Sequence, residues 1–465
     1  MNIVYDIAII GGGIGGYTAA IKAAKNGLKV ALFEKGKIGG TCLHEGCIPT
    51  KTFLQLSNKY QDIQKLKKMG FSHFQRPNIE ELNWEQFLSY KNQTISQLFT
   101  GLQYLVQKNK IDFFPEKVDS IVKKEFFDVL SKKTTISAKE IIMATGSVPF
   151  VPNKVNEVFE KVLSSDQLLE LKELPTSIAI IGSGVIGIEF ATFFSQLGIP
   201  VSIIEKEQYI LPTIDRDISN KLKEKLIKNG VNFKMGYEVD FNSFVESAEN
   251  VRFTTTKDGI ANEESAQYVL VAIGRKRFNG DLLLEQMDLN KDQLEVNEHL
   301  ETTQKGLYVI GDASGNIQLA HAASHQAEIV IERILGNKEV KYDEFYVPKC
   351  IYSYPEVSSI GLTEEEAKKD YNVKVGRFQL SGNGKSVITG ETDGFIKVVV
   401  DEKTDRILGV HIIGDKATEL ISEASLALLV EATSMEIGFT IHPHPTVSEI
   451  FNEAALAVNG QEIHS

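Results

Sequence analysis

Tyr5-Asp6-Ile7-Ala8-Ile9-Ile10-Gly11-Gly12-Gly13-Ile14-Gly15-Gly16 carries an apolar run straight into a glycine cluster. The run reads as a buried strand and the residues from about Tyr17 to Asn26 as a helix. Leu28 to Glu34 reads as a second strand, so the segment predicts one βαβ unit with a glycine-rich turn. The same design returns later. Ser177-Ile178-Ala179-Ile180-Ile181 leads into Gly182-Ser183-Gly184-Val185-Ile186-Gly187, then a helix to about Leu197, then Pro200-Val201-Ser202-Ile203-Ile204-Glu205. Glu34 stands 23 residues after Gly11, and Glu205 stands 23 residues after Gly182.

Each residue type in this pattern has a physical purpose. The first glycine (Gly11, Gly182) makes the tight turn, the second (Gly13, Gly184) lets backbone approach a pyrophosphate, and the third (Gly16, Gly187) lets helix and strand close up. Glu34 and Glu205 end the second strands, where a carboxylate accepts hydrogen bonds from ribose hydroxyls. Two such Rossmann-like units predict two dinucleotides, or one copied segment half abandoned; packing glycines with solvated acids are the bland alternative. Glu205 would oppose the 2′-phosphate of NADP, so NAD is expected, with Lys206 beside it pulling the other way.

The chain has 465 residues, enough for about three domains. Hydrophobic residues make up 42% and charged residues 24%, the composition of a globular protein. Fifty Lys and Arg against 62 Asp and Glu leave a net charge of −12, which argues against general nucleic-acid binding. Lys65-Leu66-Lys67-Lys68 reads as a solvated helix face. No run approaches the roughly 18 apolar residues of a membrane helix. The start, Met1 to Asp6, lacks the basic region of a signal peptide. Three cysteines are too few for a disulfide framework, so a cytoplasmic protein is expected.

Between the two units, Trp84 to Lys110 has helical periodicity, with Phe87, Leu88, Ile95, Leu98, Leu102, Leu105 and Val106 on one stripe. Strand-like runs end at Ile141 to Ser147, at Tyr268 to Arg275 and at Leu307 to Asp312. The last ~120 residues change to alternation. There, Phe395 to Val400 and Ile407 to Ile413 resemble adjacent antiparallel strands, and Ala417 to Glu431 and Ser448 to Val458 resemble helices. A domain boundary is placed near Lys341. The fold expected is α/β with a sheet-and-helix, α+β C-terminal domain.

Cys42 and Cys47 lie in Gly39-Gly40-Thr41-Cys42-Leu43-His44-Glu45-Gly46-Cys47-Ile48-Pro49-Thr50-Lys51. Pro49 predicts the first turn of a helix, and thiolate is favoured at a helix N-terminus near Lys51. Cys42 is expected on the preceding loop, more exposed, exchanging with substrate while Cys47 faces a cofactor. A metal half-site with His44, or two inert thiols, are the alternatives. Cys350 has no sequence partner and reads as a core residue. Thiol exchange needs a proton handler, and Ile441-His442-Pro443-His444-Pro445-Thr446-Val447-Ser448-Glu449 offers one in His444, with Glu449 at a helix start to orient it and keep it basic. A capped loop bearing two surface histidines is the bland alternative.

Gly40-Thr41-Cys42-Leu43-x-x-Gly46-Cys47-Ile48-Pro49-x-Lys51 resembles the redox-active signature of the flavin-dependent pyridine-nucleotide disulfide reductases. Gly15-Gly16-Tyr17, Gly311-Asp312 with Gln318-Leu319-Ala320-His321, and His442 to Glu449 are similar to the dihydrolipoyl dehydrogenase group, most of all to bacterial forms of the branched-chain 2-oxo-acid complexes. The likeness spans almost the whole chain. His44-Glu45 stands where Asn-Val is common, and Lys276-Arg277-Phe278-Asn279 departs from the usual Arg-Pro-Asn.

The resemblance implies a redox disulfide between Cys42 and Cys47, with Cys42 the exchanging thiol and Cys47 the flavin-proximal one. It implies FAD held by Gly11, Gly13, Gly16, Glu34, Lys35, Gly40, Thr41, Lys51, Thr145-Gly146-Ser147, Asp312, Gln318, Leu319, Ala320 and His321. Glu189 would pair with Lys51. NAD would lie on Gly182, Gly184, Gly187, Glu205 and Gly274. His444, oriented by Glu449, would be the acid/base and reach the partner's site in a homodimer. The implied activity is oxidation of dihydrolipoamide on the lipoyl domain of an acyltransferase core. The implied division is an FAD domain over 1–147 completed by 276–340, an NAD domain over 148–275, and a dimerisation domain over 341–465.

Overall fold

The computed structural model describes residues 4–71, 79–277, 282–285, 287, 294–315 and 317–464, without the side chains of 64, 67, 68, 80, 283 and 285. Phe278 and Asn279 lie outside these residues. The chain folds as two compact units, residues 1–50, 84–150 and 275–344 in one and residues 51–83, 151–274 and 345–465 in the other.

In the first unit, strand β1 (Val4–Ile10) pairs in parallel with β2 (Val30–Phe33), Ile7 opposite Val30 and Ile10 opposite Phe33. Helix α1 (Ile14–Lys25) connects them and buries only small residues, Gly15, Gly16, Ala19, Ala20 and Ala23, which brings it close to the sheet. The other edge of β1 takes Thr135–Met143, again in parallel. The sheet continues through antiparallel Phe127–Ser131 and Val118–Lys123 to Leu283–Glu285, and past β2 to Asp112–Phe114. Three further helices follow β2 in sequence: α2 (Gly40–His44), α3 (Cys47–Lys68) and α4 (Trp84–Lys108).

Helix α4 forms where the periodicity predicts it, but its coverage differs. Trp84, Phe87, Lys91, Leu102 and Val106 are buried, whereas Leu98 and Leu105, on the predicted stripe, are exposed. Lys91 in that stripe is 1% exposed, so its whole side chain is buried, not its stem alone.

The second unit repeats the motif. Strand β3 (Ile178–Ile181), helix α5 (Val185–Gln196) and strand β4 (Val201–Glu205) place Ile178 opposite Val201 and Ile181 opposite Ile204. The all-parallel sheet runs Asn232–Met235, β4, β3, Tyr268–Val271, Val162–Leu163. An antiparallel sheet of Glu238–Glu246, Val251–Lys257 and Ile260–Ala266 accompanies it. Helix α6 (Arg216–Lys228) is N-capped by Asp215, which accepts from Asp217 N.

The C-terminal residues build an antiparallel sheet in the order Lys349–Ile351, Glu356–Gly361, Ile407–Gly414, Phe395–Asp401, Val373–Gln379. The two central strands are the predicted pair and are buried on both faces. Helices Ala417–Leu429 and Glu449–Ala457 cover them, Ile421, Ala424 and Leu428 meeting Ile450, Phe451 and Ala454 in one core.

One charged cluster lies on the opposite face of that sheet, since Lys397 alternates with the core residues Ile396 and Val398. Lys397, 2% exposed, lies 2.9 Å from Asp215, 2.8 Å from Asp217 and 2.6 Å from Glu364, and Arg377 joins Asp217. Burial opposes ionisation of Glu364, yet its bonds to Lys368 and Lys397 prevail and lower its carboxyl to about 2. Opposite Lys397, His411 is fully buried between the Ser359 hydroxyl and the Leu362 carbonyl, and burial holds its pKa below the usual histidine value. Lys65, expected in solvent, is half-buried against Glu391 and the Tyr354 ring. Among the described residues no helix is long and apolar enough to cross a membrane, and no group of three or more His, Cys, Asp or Glu is placed to hold a metal.

Candidate active site

Both glycine loops are built alike. Gly11 N donates to Phe33 O and Gly182 N to Ile204 O, at 2.8 and 2.9 Å. A Cβ on Gly16 would strike the Gly11 carbonyl, and one on Gly187 the Gly182 carbonyl, so nothing larger than glycine fits where helix meets turn. Gly13 and Gly184 N-cap α1 and α5 with no side-chain cap, and a Cβ there would meet nothing within 4 Å. That leaves an open cradle at each helix N-terminus, with N–H groups and the helix dipole facing it, which suits a pyrophosphate. Glu34 accepts from Gly12 N and Gly36 N. Glu205 accepts from Ser183 N, the Ser183 hydroxyl and Glu207 N.

Around the first loop, Thr145 and Gly146 follow Thr135–Met143, and the Ser147 hydroxyl donates to Asp312. Arg275 Nε donates to the Ser147 hydroxyl at 2.7 Å and its guanidinium to Ser147 O at 3.0 Å, a contact the sequence did not disclose. Gly311 N donates to buried Gln326. Leu319 caps Ala320–Ile334, with Gln318 and His321 exposed beside it, and Lys35 is exposed next to Glu34. Gly274, with an open Cβ position, closes the second unit's strand Tyr268–Val271.

The thiol segment is fastened to the first loop. Gly39 and Gly40 both have positive φ, +110° and +58°, which lets the chain double back. Gly39 N donates to Gly12 O at 2.8 Å, and a Cβ on Gly40 would stand 2.8 Å from Gly13 Cα. Cys42 therefore sits on the single turn of α2, not on a loop as expected, and is half-buried like Cys47. The two thiols lie close together. Burial, then the charge of an ionised Cys42, raises the pKa of Tyr17. Cys47 is the first residue of α3, where unsatisfied N–H groups favour thiolate, with Pro49 in the first turn. His44 turns Nε2 to the Ile38 carbonyl at 2.9 Å and its ring edge to Phe99 of α4.

In the second unit, Lys51 Nζ lies 2.9 Å from both oxygens of buried Glu189. Tyr352 completes the pair. Its N–H donates to Glu189 at 3.0 Å and its ring lies 4.6 Å under Lys51 Nζ. Tyr352 is missed by sequence reading because it arrives from the C-terminal sheet. Cys350 is half-buried against the C-terminal core, and burial pushes its thiol up to about 11, which leaves it unreactive.

The two histidines of the His442–Glu449 stretch part company. His442 Nε2 meets Glu423 at 2.8 Å with its side chain buried; the Glu423 hydrogen bond raises its pKa despite burial. It is structural, not a surface residue. His444 is 77% exposed on its side chain, with Nδ1 2.8 Å from Glu449 Oε1. Burial disfavours the Glu449 carboxylate, but hydrogen bonds from His444 and Thr446 N outweigh it and hold its pKa below the usual value.

Residues 5–327 match the family described as pyridine nucleotide-disulphide oxidoreductase, and residues 347–455 match the dimerisation domain of the same family. A dihydrolipoyl dehydrogenase of Bacillus subtilis is 41% identical with 100% of both chains covered, and dihydrolipoyl dehydrogenase 3 of Pseudomonas putida is 36% identical over 98% of each. The HOCl-induced flavoprotein disulfide reductase RclA of Escherichia coli superposes with a TM-score of 0.84 at 25% identity, covering 97% of this chain and 99% of that one. LpdA of Mycobacterium tuberculosis, at 22% identity and a TM-score of 0.86, covers 97% and 99% and shares the fold.

Proposed function

The chain belongs to the pyridine nucleotide-disulphide oxidoreductases, and from that premise we propose that it oxidises protein-bound dihydrolipoamide with NAD⁺. The balance is dihydrolipoamide + NAD⁺ → lipoamide + NADH + H⁺. The substrate dithiol loses two electrons and two protons by exchange with a Cys42–Cys47 disulfide. The family uses FAD and NAD(H). Bound FAD supplies the two-electron relay between the dithiol and the nicotinamide. The residues present fit it: the cradle open at Gly13 lies under the thiol segment.

The chain's own groups divide the remaining work. The first substrate thiolate attacks Cys42 Sγ and displaces Cys47, the inner thiol, which the α3 N-terminus stabilises as thiolate. The second substrate thiolate then closes the lipoyl disulfide and displaces Cys42 as thiolate. His444 Nε2 takes a substrate thiol proton and passes it to the departing Cys42 thiolate, while Glu449 on Nδ1 fixes the ring. Lys51, steadied by Glu189, places a positive charge by the FAD site. Gly11, Gly13, Gly16, Glu34, Lys35, Gly40, Thr41, Thr145, Gly146, Ser147, Asp312 and Gln318 to His321 hold FAD. Gly182, Gly184, Gly187, Glu205 and Gly274 hold NAD. The division is FAD-binding over 1–147 with 276–340, NAD-binding over 148–275, and dimerisation over 341–465. The partner is a lipoyl domain, the protein a cytoplasmic homodimer, and His444 serves the partner's site.

The single observation that carries the reading is the Gly39–Gly40 turn seated on the first glycine loop, which puts a close thiol pair on a nucleotide cradle. Steady-state rates with dihydrolipoamide and NAD⁺, set against rates with glutathione disulfide, test it. Preference for glutathione disulfide, or a normal lipoyl rate in Cys42→Ser, defeats it.

A further inference from the structure

The second glycine loop carries a side chain that the first lacks. Ser183 stands where the first unit has Gly12. Its N–H and its hydroxyl both donate to Glu205 Oε2 at 2.7 Å, and Glu207 N donates to Oε1 at 2.9 Å. Ser183 is 1% exposed, so water does not compete for that hydroxyl. Glu34 has two backbone donors at 2.7 Å, and a Cβ on Gly12 would stand 3.0 Å from Glu34 Cβ, closer than an ordinary contact. Next to Glu205, Lys206 Nζ lies 3.1 Å from Glu238 Oε1 on strand Glu238–Glu246.

We propose that Ser183 and Glu238 set the choice of NAD over NADP at the second loop, Ser183 by pinning the Glu205 carboxylate and Glu238 by engaging Lys206. The inference rests on reading that loop as the nicotinamide-nucleotide site. A ribose 2′-hydroxyl donates to a carboxylate, and one lone pair of Glu205 Oε1 is still open to it. A 2′-phosphate offers only acceptors and negative charge, and the carboxylate repels it. A mobile carboxylate escapes that repulsion by swinging away. Glu205 must first break three hydrogen bonds, one of them a charge-assisted bond from a buried hydroxyl. The cation that would reward a phosphate is Lys206, and Glu238 gives it another anion to hold. Both members of that pair are exposed, so its share is the smaller.

The test uses the FAD-loaded wild type, Ser183→Ala, Glu238→Ala, the double variant, and Glu205→Ala as reference. Calorimetric titration of the oxidised protein with NAD⁺ and with NADP⁺ gives an affinity ratio that needs no turnover. Oxidation of NADH against NADPH by ferricyanide gives a second ratio that needs no lipoyl substrate. The NAD:NADP ratio is expected to fall about tenfold in Ser183→Ala. In Glu238→Ala it should fall about two- to threefold, and the two effects should multiply in the double variant. A double-variant ratio within about twofold of wild type overturns the proposal. So does a wild type that takes both nucleotides equally, and so does a preference lost only in Glu205→Ala. Absence of dihydrolipoamide turnover with the NAD preference intact would sink the substrate reading alone.

Discussion

The two glycine loops share strand register, glycine spacing and the position of the acid, and after each acid the chain turns back to the same carbonyl of its loop, yet the residues that follow the turn differ. After Glu34 it doubles back at Gly39 and Gly40, whose backbones meet Gly12 and Gly13, and the two thiols follow. After Glu205 it also turns back, at Leu211, a buried residue with positive φ whose N–H donates to Ser183 O at 3.2 Å as Gly39 N does to Gly12 O. No thiol follows there, and the segment ends at Asp215, which Lys397 of the C-terminal sheet holds. One repeated motif thus supplies two glycine cradles, and the residues that follow each acid set them apart. In the proposed function the first serves sulfur chemistry and the second nucleotide selection, and the second also fastens to the C-terminal sheet through Asp215 and Lys397.

The contrast can be broken from either side. The largest effect should come from Cys47→Ser, which leaves both loops intact and removes the inner thiol. Dihydrolipoamide turnover should fall at least 10³-fold in a stopped assay. A calorimetric titration with NAD⁺ should still show saturable binding. Lys397→Met attacks the other side. It strands the buried Asp215 carboxylate, and the urea midpoint should drop by an amount equivalent to about 3–5 kcal/mol. His444→Gln should lower kcat about 10²-fold, with the melting temperature little changed because the side chain is exposed.

The smallest effect is on pH. His411 has a depressed folded-state pKa, so the folded protein binds fewer protons than the unfolded chain below the unfolded value near 6.5. Stability should be full above about pH 6.5 and fall by up to ~1.4 kcal/mol per pH unit below it. Asp215, Lys397 and Lys349 face the imidazole from neighbouring elements, Asp215 favouring its charge and the lysines opposing it. The lowered carboxyls of Asp215 and Glu364 should add a second fall below about pH 4.5. Denaturant midpoints at pH 8, 6 and 4 would check both steps; a flat response from 8 to 6 would contradict only the first if the second persists.

What the sequence made legible was local. The βαβ units, their register and the acids follow from period-2 runs and fixed glycine spacing, and the central C-terminal strands from alternation. Contacts made by distant residues were not legible. Nothing near His442 announces Glu423, nineteen residues back, so the two histidines look alike until the fold separates them. The stripe on α4 identified the face but not its cover, which is why Leu98 and Leu105 are exposed. A single helical turn such as α2 is too short for periodicity to reveal, so Cys42 read as loop. Ser183 did leave a signal, a hydroxyl at the variable position of the fingerprint, but its meaning depended on where Glu205 pointed.

The Gly39 amide belongs at once to the turn bearing the sulfurs and to the loop beneath it. Chain length is therefore free in one place and fixed in the next. Lys35, Gly36 and Lys37 are exposed, and an insertion there could bulge into solvent. One added residue between Gly40 and Cys47 would rotate a cysteine off its helix turn, so grafting this segment onto another scaffold requires moving it together with its glycine loop.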